Sequence, residues 1–280
     1  MKFKVYKSIT KFMSDTLDLL KTNELQNNLI IGNCLRAEEY NLETKKYFLA
    51  TILDDNNDIK IVTMLTPPYK LLVYEVNNEE NNEALELLID YCKSNKLTLP
   101  GIVAKNDLCE RFSKIYARKN DIIPKVKFNM RIYKLDEVKY RGDAEGKLRL
   151  ATMNDLNYLS LWKRDFALEN NIEYDDKRIF ERMKTQIKKG FVYVFEDKEP
   201  VSMITAGRKT LNGVIFNNVY TKSLYRRQGY ATALVYELAS LLLREFSFCG
   251  LFTDLKNPIS NRIYQKVGFY PICDFNEIEF

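Results

Sequence analysis

Arg226, Arg227 and Gly229 form a short basic loop between a predicted strand and a predicted helix. Residues 213–221 are an apolar run with strand character, and residues 231–246 repeat apolar side chains with the period of a helix. The first backbone N–H groups of a helix lack partners within the helix and lie at the positive end of its dipole. Because such an end binds phosphate groups, the loop is a candidate pyrophosphate site.

The residue types of the loop suit an anion. Gly229 lets the main chain approach a ligand without a side chain in the way, and Ala231 keeps the next turn small. Arg226 and Arg227 add cationic donors that match phosphate oxygens. The same residues also describe a basic turn that begins a helix, so a lone short glycine motif is weak evidence.

A second motif follows the first. Asn257 is followed seven residues later by Tyr264 and then by Gly268-Phe269. The loop itself, Arg226-Arg-Gln-Gly-Tyr-Ala231, fits the pattern Gln/Arg-x-x-Gly-x-Gly/Ala. With both motifs in this order, the sequence resembles the GNAT (Gcn5-related N-acetyltransferase) superfamily.

The resemblance implies an α+β fold, a mixed and mostly antiparallel sheet flanked by helices, and acetyl-CoA as the acyl donor. Two parallel strands, here residues 214–221 and 251–255, would separate to admit the pantetheine arm, which would pair with the main chain like an added strand. The loop would hold the diphosphate, and Lys222 or Arg226 would reach the outer phosphates. The implied cofactor-binding residues are Val219, Thr221, Arg226, Arg227, Gln228, Gly229, Tyr230, Ala231, Thr232 and Asn257.

The implied reaction is direct attack of a neutral amine on the thioester in a ternary complex. A main-chain N–H near Tyr220 would stabilise the oxyanion, and Tyr264 would protonate the departing thiolate as general acid. A tyrosine with a pKa of about 10 can donate to a thiolate whose conjugate acid has a pKa of about 8.5 at modest cost. Packing of a buried aromatic side chain is the alternative interpretation of Tyr264.

The general base is not identified by the sequence. Many members of the superfamily carry a Glu on the strand before the loop, whereas this chain has Phe216-Asn217-Asn218 there. The nearby carboxylates could equally be solvated or structural charges, and the aromatic side chains that could line an acceptor pocket could equally be core. These candidates are Asp165, Glu169 and Asp254 for the base, and Tyr158 and Trp162 for the pocket.

Composition excludes several classes of function. The chain has no histidine, which rules out Ser/His and Cys/His catalytic pairs and removes the commonest transition-metal ligand. Its 5 cysteines are widely spaced, so neither a disulfide framework nor a metal site is expected. The net charge of +5 is spread along the chain, which favours a local anion site over a nucleic-acid groove.

The chain also lacks an apolar stretch of membrane-spanning length, and its first residues have no hydrophobic signal core. With 46% hydrophobic and 29% charged residues it has the composition of a soluble globular protein. These features predict a cytoplasmic protein without a membrane partner, either a monomer or a homodimer.

The length of 280 residues is comfortable for two domains. Residues 136–147 lack apolar periodicity and contain two glycines, so we place a linker at 139–147. The order of predicted elements is similar on both sides of it, which indicates a tandem protein. Residues 148–280 would be the catalytic domain. Residues 1–138 would be a degenerate copy that does not bind the cofactor, because the segment 77–83 has three carboxylates and no glycine where the loop would stand.

Periodicity and turn residues predict the individual elements. The predicted helices are 13–27, 83–93, 108–117, a capped helix from 152 through 166, and 175–189. The predicted strands are 46–53, 59–65, 71–76, 101–104, 127–135 and a hairpin of 191–195 with 200–208.

Two other functions are compatible with the sequence. Tandem GNAT architecture also occurs in transferases that use aminoacyl-tRNA, but those lack an intact diphosphate loop. A non-catalytic module that binds or senses acyl-CoA is the other possibility, because no carboxylate stands at positions 217 and 218. For an enzyme, the acceptor would be a primary amine of a small molecule or a peptide.

Overall fold

The computed structural model describes residues 1–280, and these residues form alternating groups of strands and helices. The strands are β1 (Lys2–Val5), β2 (Phe48–Leu53), β3 (Ile59–Leu65), β4 (Leu71–Glu75), β5 (Gly101–Lys105), β6 (Lys125–Leu135), β7 (Lys147–Leu150), β8 (Val192–Asp197), β9 (Glu199–Lys209), β10 (Gly213–Thr221), β11 (Phe248–Asp254) and β12 (Tyr270–Glu279). The helices are α1 (Ile9–Thr22), α2 (Asn28–Glu39), α3 (Asn82–Ser94), α4 (Asn106–Asn120), α5 (Leu156–Glu169), α6 (Asp176–Lys188), α7 (Tyr230–Leu242) and α8 (Pro258–Val267). None of these helices combines the length and the apolar character needed to cross a membrane.

The chain divides into two compact units. The first contains residues 1–132, 254–256 and 272–280, and the second contains residues 133–253 and 257–271. The predicted linker 139–147 therefore lies inside the second unit. The last strand ends in the first unit, although the sequence pattern assigned it to the second half.

The first unit has helices on both faces of its strands. Its strand order is β1-β2-β3-β4-β5-β12, antiparallel except where β4 runs parallel to β5. Side chains of β2 and β3 alternate between two cores, as the period of two along a strand requires. Phe48 and Ala50 join the core under α3 and α4, whereas Leu49 and Val62 join the core under α1 and α2.

The second unit repeats this arrangement. Only the end of β6, residues 133–135, belongs to it, and its other strands follow in the order β11-β10-β9-β8-β7. β10 runs parallel to β11, while β7, β8, β9 and β10 pair antiparallel. Val201 and Phe216 face the core that includes α7 and α8, and Met203 and Tyr220 face the core that includes α5 and α6. The predicted α+β class with a mostly antiparallel sheet flanked by helices is confirmed.

The same order of elements occurs twice along the chain. Each copy runs strand, two helices, three antiparallel strands, helix, parallel strand, helix and strand, first from β1 to β6 and then from β7 to β12. In both copies the first pair of helices covers one face and the second pair covers the other.

Most predicted elements are present, but near the N-terminus β1 was not predicted and the first predicted helix is wrong. The predicted helix 13–27 is in fact α1, which starts earlier and ends at Thr22, and a second helix, α2, follows it. Gly32 and two asparagines dilute the helical pattern of α2, and these residue types are poor helix formers in isolation. Its buried side chains, including Ile31 and Cys34, show that packing determines this helix.

Gly101 tests the pairing of β12 with β5. A Cβ at Gly101, which has a φ of +151°, would lie 2.1 Å from the carbonyl oxygen of Ile278. We expect Gly101→Ala to displace β12 and to lower the midpoint of urea unfolding of the first unit, with loss of amide-exchange protection at residues 275–279. Gly190→Ala is the matched control, because φ is +69° but nothing lies within 4 Å of its Cβ position. Gly190→Ala should lose only the backbone strain, about 1–2 kcal/mol of stability. If Gly101→Ala and Gly190→Ala lose stability equally, the pairing of β12 with β5 at Gly101 is wrong.

Candidate functional site

The parallel pair β10 and β11 separates part of the way along its length. Paired residues run from Gly213 opposite Phe248 to Phe216 opposite Leu251, after which β10 continues to Thr221. Residues of β10 beyond Phe216 still pair with β9, but their other edge is not paired with β11. The result is an open strand edge at the centre of the second unit, as the sequence predicted for this pair of strands.

A bulge in β10 marks the point of separation. Its register with β9 shifts between Ile215 and Asn217 and again between Asn217 and Tyr220, and Asn218 adopts the left-handed conformation with a φ of 53°. The Asn218 Nδ2 donates to Thr205 Oγ1 at 3.0 Å, and that hydroxyl donates to the carbonyl of Asn217 at 3.0 Å. These bonds leave the Asn218 Oδ1 directed away from β9.

Val219 and Thr221 lie on the open part of β10. The N–H of Lys222 donates to the main-chain carbonyl of Val201 on the neighbouring strand β9 at 3.0 Å. Because successive residues of a strand direct their main-chain groups to opposite edges, Val219 and Thr221 face the open edge. The Thr221 carbonyl accepts a hydrogen bond from Arg226 Nε at 2.9 Å, so part of this edge is already used within the protein.

Arg226 is turned towards α5. Its Nη2 atom lies 2.7 and 2.9 Å from the two carboxylate oxygens of Glu169, and its guanidinium lies over the ring of Tyr220 with 5.3 Å to the centroid. The sequence proposed Arg226 for phosphate and Glu169 as a candidate base, and it did not foresee that the two side chains pair. Arg227 is exposed and makes no ion pair, so it is the arginine of the loop that is available to an anion.

The turn between Arg226 and α7 presents a row of main-chain donors. Gly229 is the residue that precedes α7, with a φ of 87°, and Arg227 is also left-handed, with a φ of 63°. The first main-chain bond of the helix runs from Ala233 to Gly229 at 3.1 Å, and the N–H groups of residues 227–232 donate to no protein acceptor. These N–H groups stand at the positive end of the helix dipole, an arrangement whose chemistry suits an anion.

Two tyrosines and a glutamine fix the loop. The Tyr230 hydroxyl donates to Asp197 Oδ2 at 2.6 Å, and the Tyr225 hydroxyl donates to Glu199 on the same hairpin of β8 and β9. Gln228 Nε2 donates to the carbonyl of Leu224 at 3.2 Å. Tyr230 is therefore an anchor whose side chain points away from the solvent, and the loop is held before any ligand binds.

The segment 139–147 packs on the first turns of α7. A Cβ at Gly229 would lie 3.4 Å from the Cβ of Ala144, which is buried, and one at Gly142 would lie 3.5 Å from the side chain of Thr232. Arg141 Nε donates to Glu237 on α7 at 2.6 Å. A Cβ at Gly229 would therefore only touch Ala144, and the left-handed φ of 87° is the reason for glycine at this position. Ala231, half-buried, follows Tyr230 in the first turn.

Asn257 caps α8. Its side chain accepts a hydrogen bond from the N–H of Ser260 at 3.1 Å, and Pro258 is the first residue of the helix. Both features are typical of a helix start. A contact between Asn257 and a cofactor remains a prediction, and its amide oxygen is already used in the cap.

Tyr264 lies on α8 in the core of the second unit. Its ring centroid is 6.0 Å from that of Phe269, which in turn is 6.2 Å from that of Phe216 at the last paired position of β10. The Tyr264 hydroxyl makes no hydrogen bond within the protein. Burial raises the pKa of Tyr264, so the phenol is protonated at neutral pH and has a proton to donate.

The remaining candidates have structural partners. Tyr158 Oη donates to Asp155 at 2.5 Å, and the ring of Trp162 packs 6.0 Å from that of Tyr220. The other two candidate carboxylates contact neighbouring residues. Asp165 Oδ1 lies 3.6 Å from Arg164 Nη2, and Asp254 Oδ1 accepts from the N–H of Lys256 at 2.8 Å. No carboxylate is bonded to the bulge of β10.

The side chain that does reach the bulge is Lys163 of α5, which the sequence did not single out. Its Nζ donates to Asn218 Oδ1 at 2.5 Å and lies over the ring of Phe166, 4.6 Å from the centroid. Burial, with a smaller effect from Arg182, lowers the pKa of Lys163 to about 8. Only the three-dimensional packing of α5 on β10 brings this lysine to the site.

Comparison with known proteins gives a consistent answer. A family model described as Acetyltransferase (GNAT) family matches residues 156–269. A Drosophila protein of known structure is similar over 99% of this chain and 98% of its own, with a TM-score of 0.71 and 11% sequence identity. No protein of curated function matches the sequence.

Two further solved structures are also similar over nearly the whole chain. A GCN5-related N-acetyltransferase from Sphaerobacter thermophilus covers 99% of this chain and 95% of its own, with a TM-score of 0.64 and 10% identity. An acetyltransferase from the GNAT family of Colwellia psychrerythraea covers 100% of both chains, with a TM-score of 0.59 and 13% identity. At these identities the likeness shows the fold, and it extends over both units.

Gly229→Ala tests why glycine stands at the head of α7. We expect thermal stability to fall by the backbone strain alone, about 1–2 kcal/mol, because alanine must adopt a φ of 87° while its Cβ would lie in ordinary contact with Ala144 at 3.4 Å. Adding Ala144→Gly should therefore not restore the lost stability. Recovery of stability in the double variant, measured by differential scanning calorimetry, would show that a clash with Ala144 is the reason for glycine.

Proposed function

We propose that this chain, whose residues 156–269 match the acetyltransferase (GNAT) family model, transfers an acetyl group from acetyl-CoA to a primary amine of a small molecule or peptide. The observation that carries this proposal is the row of unpaired main-chain N–H groups at residues 227–232, next to an open strand edge. A nucleotide diphosphate and an amide-containing arm are the chemical groups that match these two features.

The diphosphate would lie on the N–H groups of the turn, where Arg227 supplies a free guanidinium. The pantetheine arm would lie along β10 and use the main chain of Val219 as an added strand does. Because the Thr221 carbonyl accepts from Arg226, the N–H of Thr221 is the group of this residue that we assign to the arm. The helix dipole and the arginine together offset the negative charge of the diphosphate.

The reaction follows from the same placement. The amine nitrogen attacks the thioester carbon, a C–N bond forms, and the oxyanion is stabilised by a main-chain N–H near Tyr220. The C–S bond then breaks, and the thiolate takes the proton of the Tyr264 hydroxyl. Tyr264 suits this step because it is protonated, makes no competing hydrogen bond and lies beside the residues where β10 and β11 separate.

We assign the cofactor to the second unit alone and regard the first as a degenerate copy. The repeated order of elements supports a tandem origin. In the first unit the Glu75 carboxylate accepts from the N–H of Asn81 at 2.7 Å and pairs with Arg111. A buried carboxylate at this turn, together with three further glutamates in the segment 77–83, would repel a diphosphate.

A non-catalytic acyl-CoA binder is the second candidate, favoured by the absence of a carboxylate at Asn217 and Asn218. Binding and turnover distinguish the two. An enzyme releases free thiol from acetyl-CoA when a panel of amines is added, whereas a binder gives calorimetric heat with acetyl-CoA and no thiol. A transferase that uses aminoacyl-tRNA would bind charged tRNA instead.

Gly229→Glu tests the cofactor site. We expect the loss of detectable acetyl-CoA binding in isothermal titration calorimetry, because the new carboxylate brings bulk and a negative charge to the turn that would hold the diphosphate. Gly190→Glu is the control, since Gly190 is also left-handed but has open space around it. Unchanged affinity in Gly229→Glu, or no heat with the wild type, would refute the proposed function.

Tyr264→Phe tests the general acid. We expect kcat to fall by about 100-fold, within the usual contribution of general acid catalysis, while the Kd for acetyl-CoA stays unchanged. Tyr236→Phe, which removes the hydroxyl of a partly buried tyrosine on α7 in the same core, should leave kcat nearly unchanged. If Tyr264→Phe weakens binding as much as turnover, the role of the ring is packing.

A further inference from the structure

Lys163 contacts β10 at Asn218, one of the two positions, 217 and 218, where the site has no carboxylate. Its Nζ donates to Asn218 Oδ1 at 2.5 Å, at the bulge where β10 parts from β11. The amide cannot simply turn away, because Asn218 Nδ2 is committed to Thr205 at 3.0 Å. The lysine is thus held at a defined position by a neutral partner, and it forms no ion pair with any carboxylate.

The surroundings of Lys163 disfavour its charge. The side chain is largely buried between α5 and β10, and the positive charge of Arg182 on α6 acts on it from the neighbouring helix. Tyr220, the titratable residue of β10 on this face, also has its pKa raised, by burial and then by Asp165 and Glu169. Glu169 is neutralised by Arg226, and Asp155 in the turn before α5 is neutralised by Arg149.

Charged lysine in such a place is costly, so its neutral form is well populated. With a pKa of about 8, about a quarter of the molecules carry a neutral Lys163 amine at pH 7.5, against about one in a thousand for an ordinary lysine. A base whose pKa lies near the working pH is the most effective one.

On the basis of the acetyl transfer proposed above, we propose that Lys163 is the general base of this site and receives the proton of the attacking amine beside the bulge of β10. The assignment rests on its position against Asn218, the absence of a carboxylate bonded to the bulge and the lack of an ion-pair partner.

The proton balance is complete. The neutral Nζ of Lys163 takes one proton from the amine nitrogen as the C–N bond forms, and becomes an ammonium that Asn218 Oδ1 can accept a hydrogen bond from. Tyr264 gives one proton to the thiolate as the C–S bond breaks. After release of the amide and the thiol, Lys163 loses its proton to solvent and Tyr264 regains one, so no further reactant is needed.

The pH dependence of kcat is the first test, with acetyl-CoA saturating and the most active amine of the panel as acceptor. Wild-type kcat should rise with pH, with the midpoint of the rise near pH 8, and level off about one pH unit higher. Arg182→Met removes a charge that lowers the pKa of Lys163, so it should move this rise upward by about 0.3–0.5 pH units. Arg178→Met, on the same helix, is the control and should not move it. If the rise of kcat occurs at the same pH in Arg182→Met as in the wild type, Lys163 is not the general base.

Lys163→Arg and Lys163→Met are the second test. Arginine keeps the charge but cannot lose its proton, so both variants should lose about 100-fold in kcat at pH 7.5 while the Kd for acetyl-CoA is unchanged. Activity of Lys163→Arg within threefold of the wild type would mean that a cation, not a base, is needed there, and would overturn the proposal. A Lys163 variant that fails to fold would also lose acetyl-CoA binding. In that case the shift of the pH dependence of kcat in Arg182→Met decides whether Lys163 is the base.

The same experiments keep this proposal apart from the proposed function. If the wild type transfers no acetyl group to any amine, the proposed function fails, and the base fails with it. If the wild type turns over but the Lys163 variants do not slow it, only the base is wrong.

Discussion

The unpaired N–H groups of residues 227–232 are the feature on which the site depends. They exist because Arg227 and Gly229 both adopt left-handed conformations, with φ of 63° and 87°, so the chain enters α7 without a residue that would cap the helix. Unsatisfied donors at a helix start are normally met by a side chain or by water. Here the turn is held instead by Tyr230 and Tyr225 on the hairpin of β8 and β9, which leaves the donors to a ligand.

The open edge of β10 is the second constraint. The bulge at Asn218 shifts the register with β9 just beyond the last residue paired with β11, and the Phe216, Phe269 and Tyr264 rings pack in sequence beside it. The two cores on either side then supply different groups. The core with α7 and α8 brings Tyr264 to the site, and the core with α5 and α6 brings Lys163, so the proposed acid and the proposed base come from opposite faces of the strands.

Local signals in the sequence predicted most of the elements that build the site. The strand 213–221 and the glycine before α7 were evident because a run of apolar residues and a lone glycine are local features. Contacts between distant segments were not evident. The pairing of Glu169 with Arg226, the contact of Ala144 with Gly229 and the approach of Lys163 to Asn218 each join residues 55 or more positions apart, and no local pattern encodes them. The pairing of β12 with β5 in the first unit was missed for the same reason, because no local pattern identifies the partner of a strand.

Amide chemical shifts of residues 227–232 test the central claim most directly. In a ¹⁵N-labelled sample, acetyl-CoA should shift these amide protons downfield to saturation, because each gains a negatively charged acceptor. An acetyl-pantetheine thioester, which lacks the diphosphate, should leave them in place while it shifts residues of β10 beyond Phe216. If acetyl-CoA binds and the amides of residues 227–232 do not move, the diphosphate lies elsewhere and the account of this site is wrong.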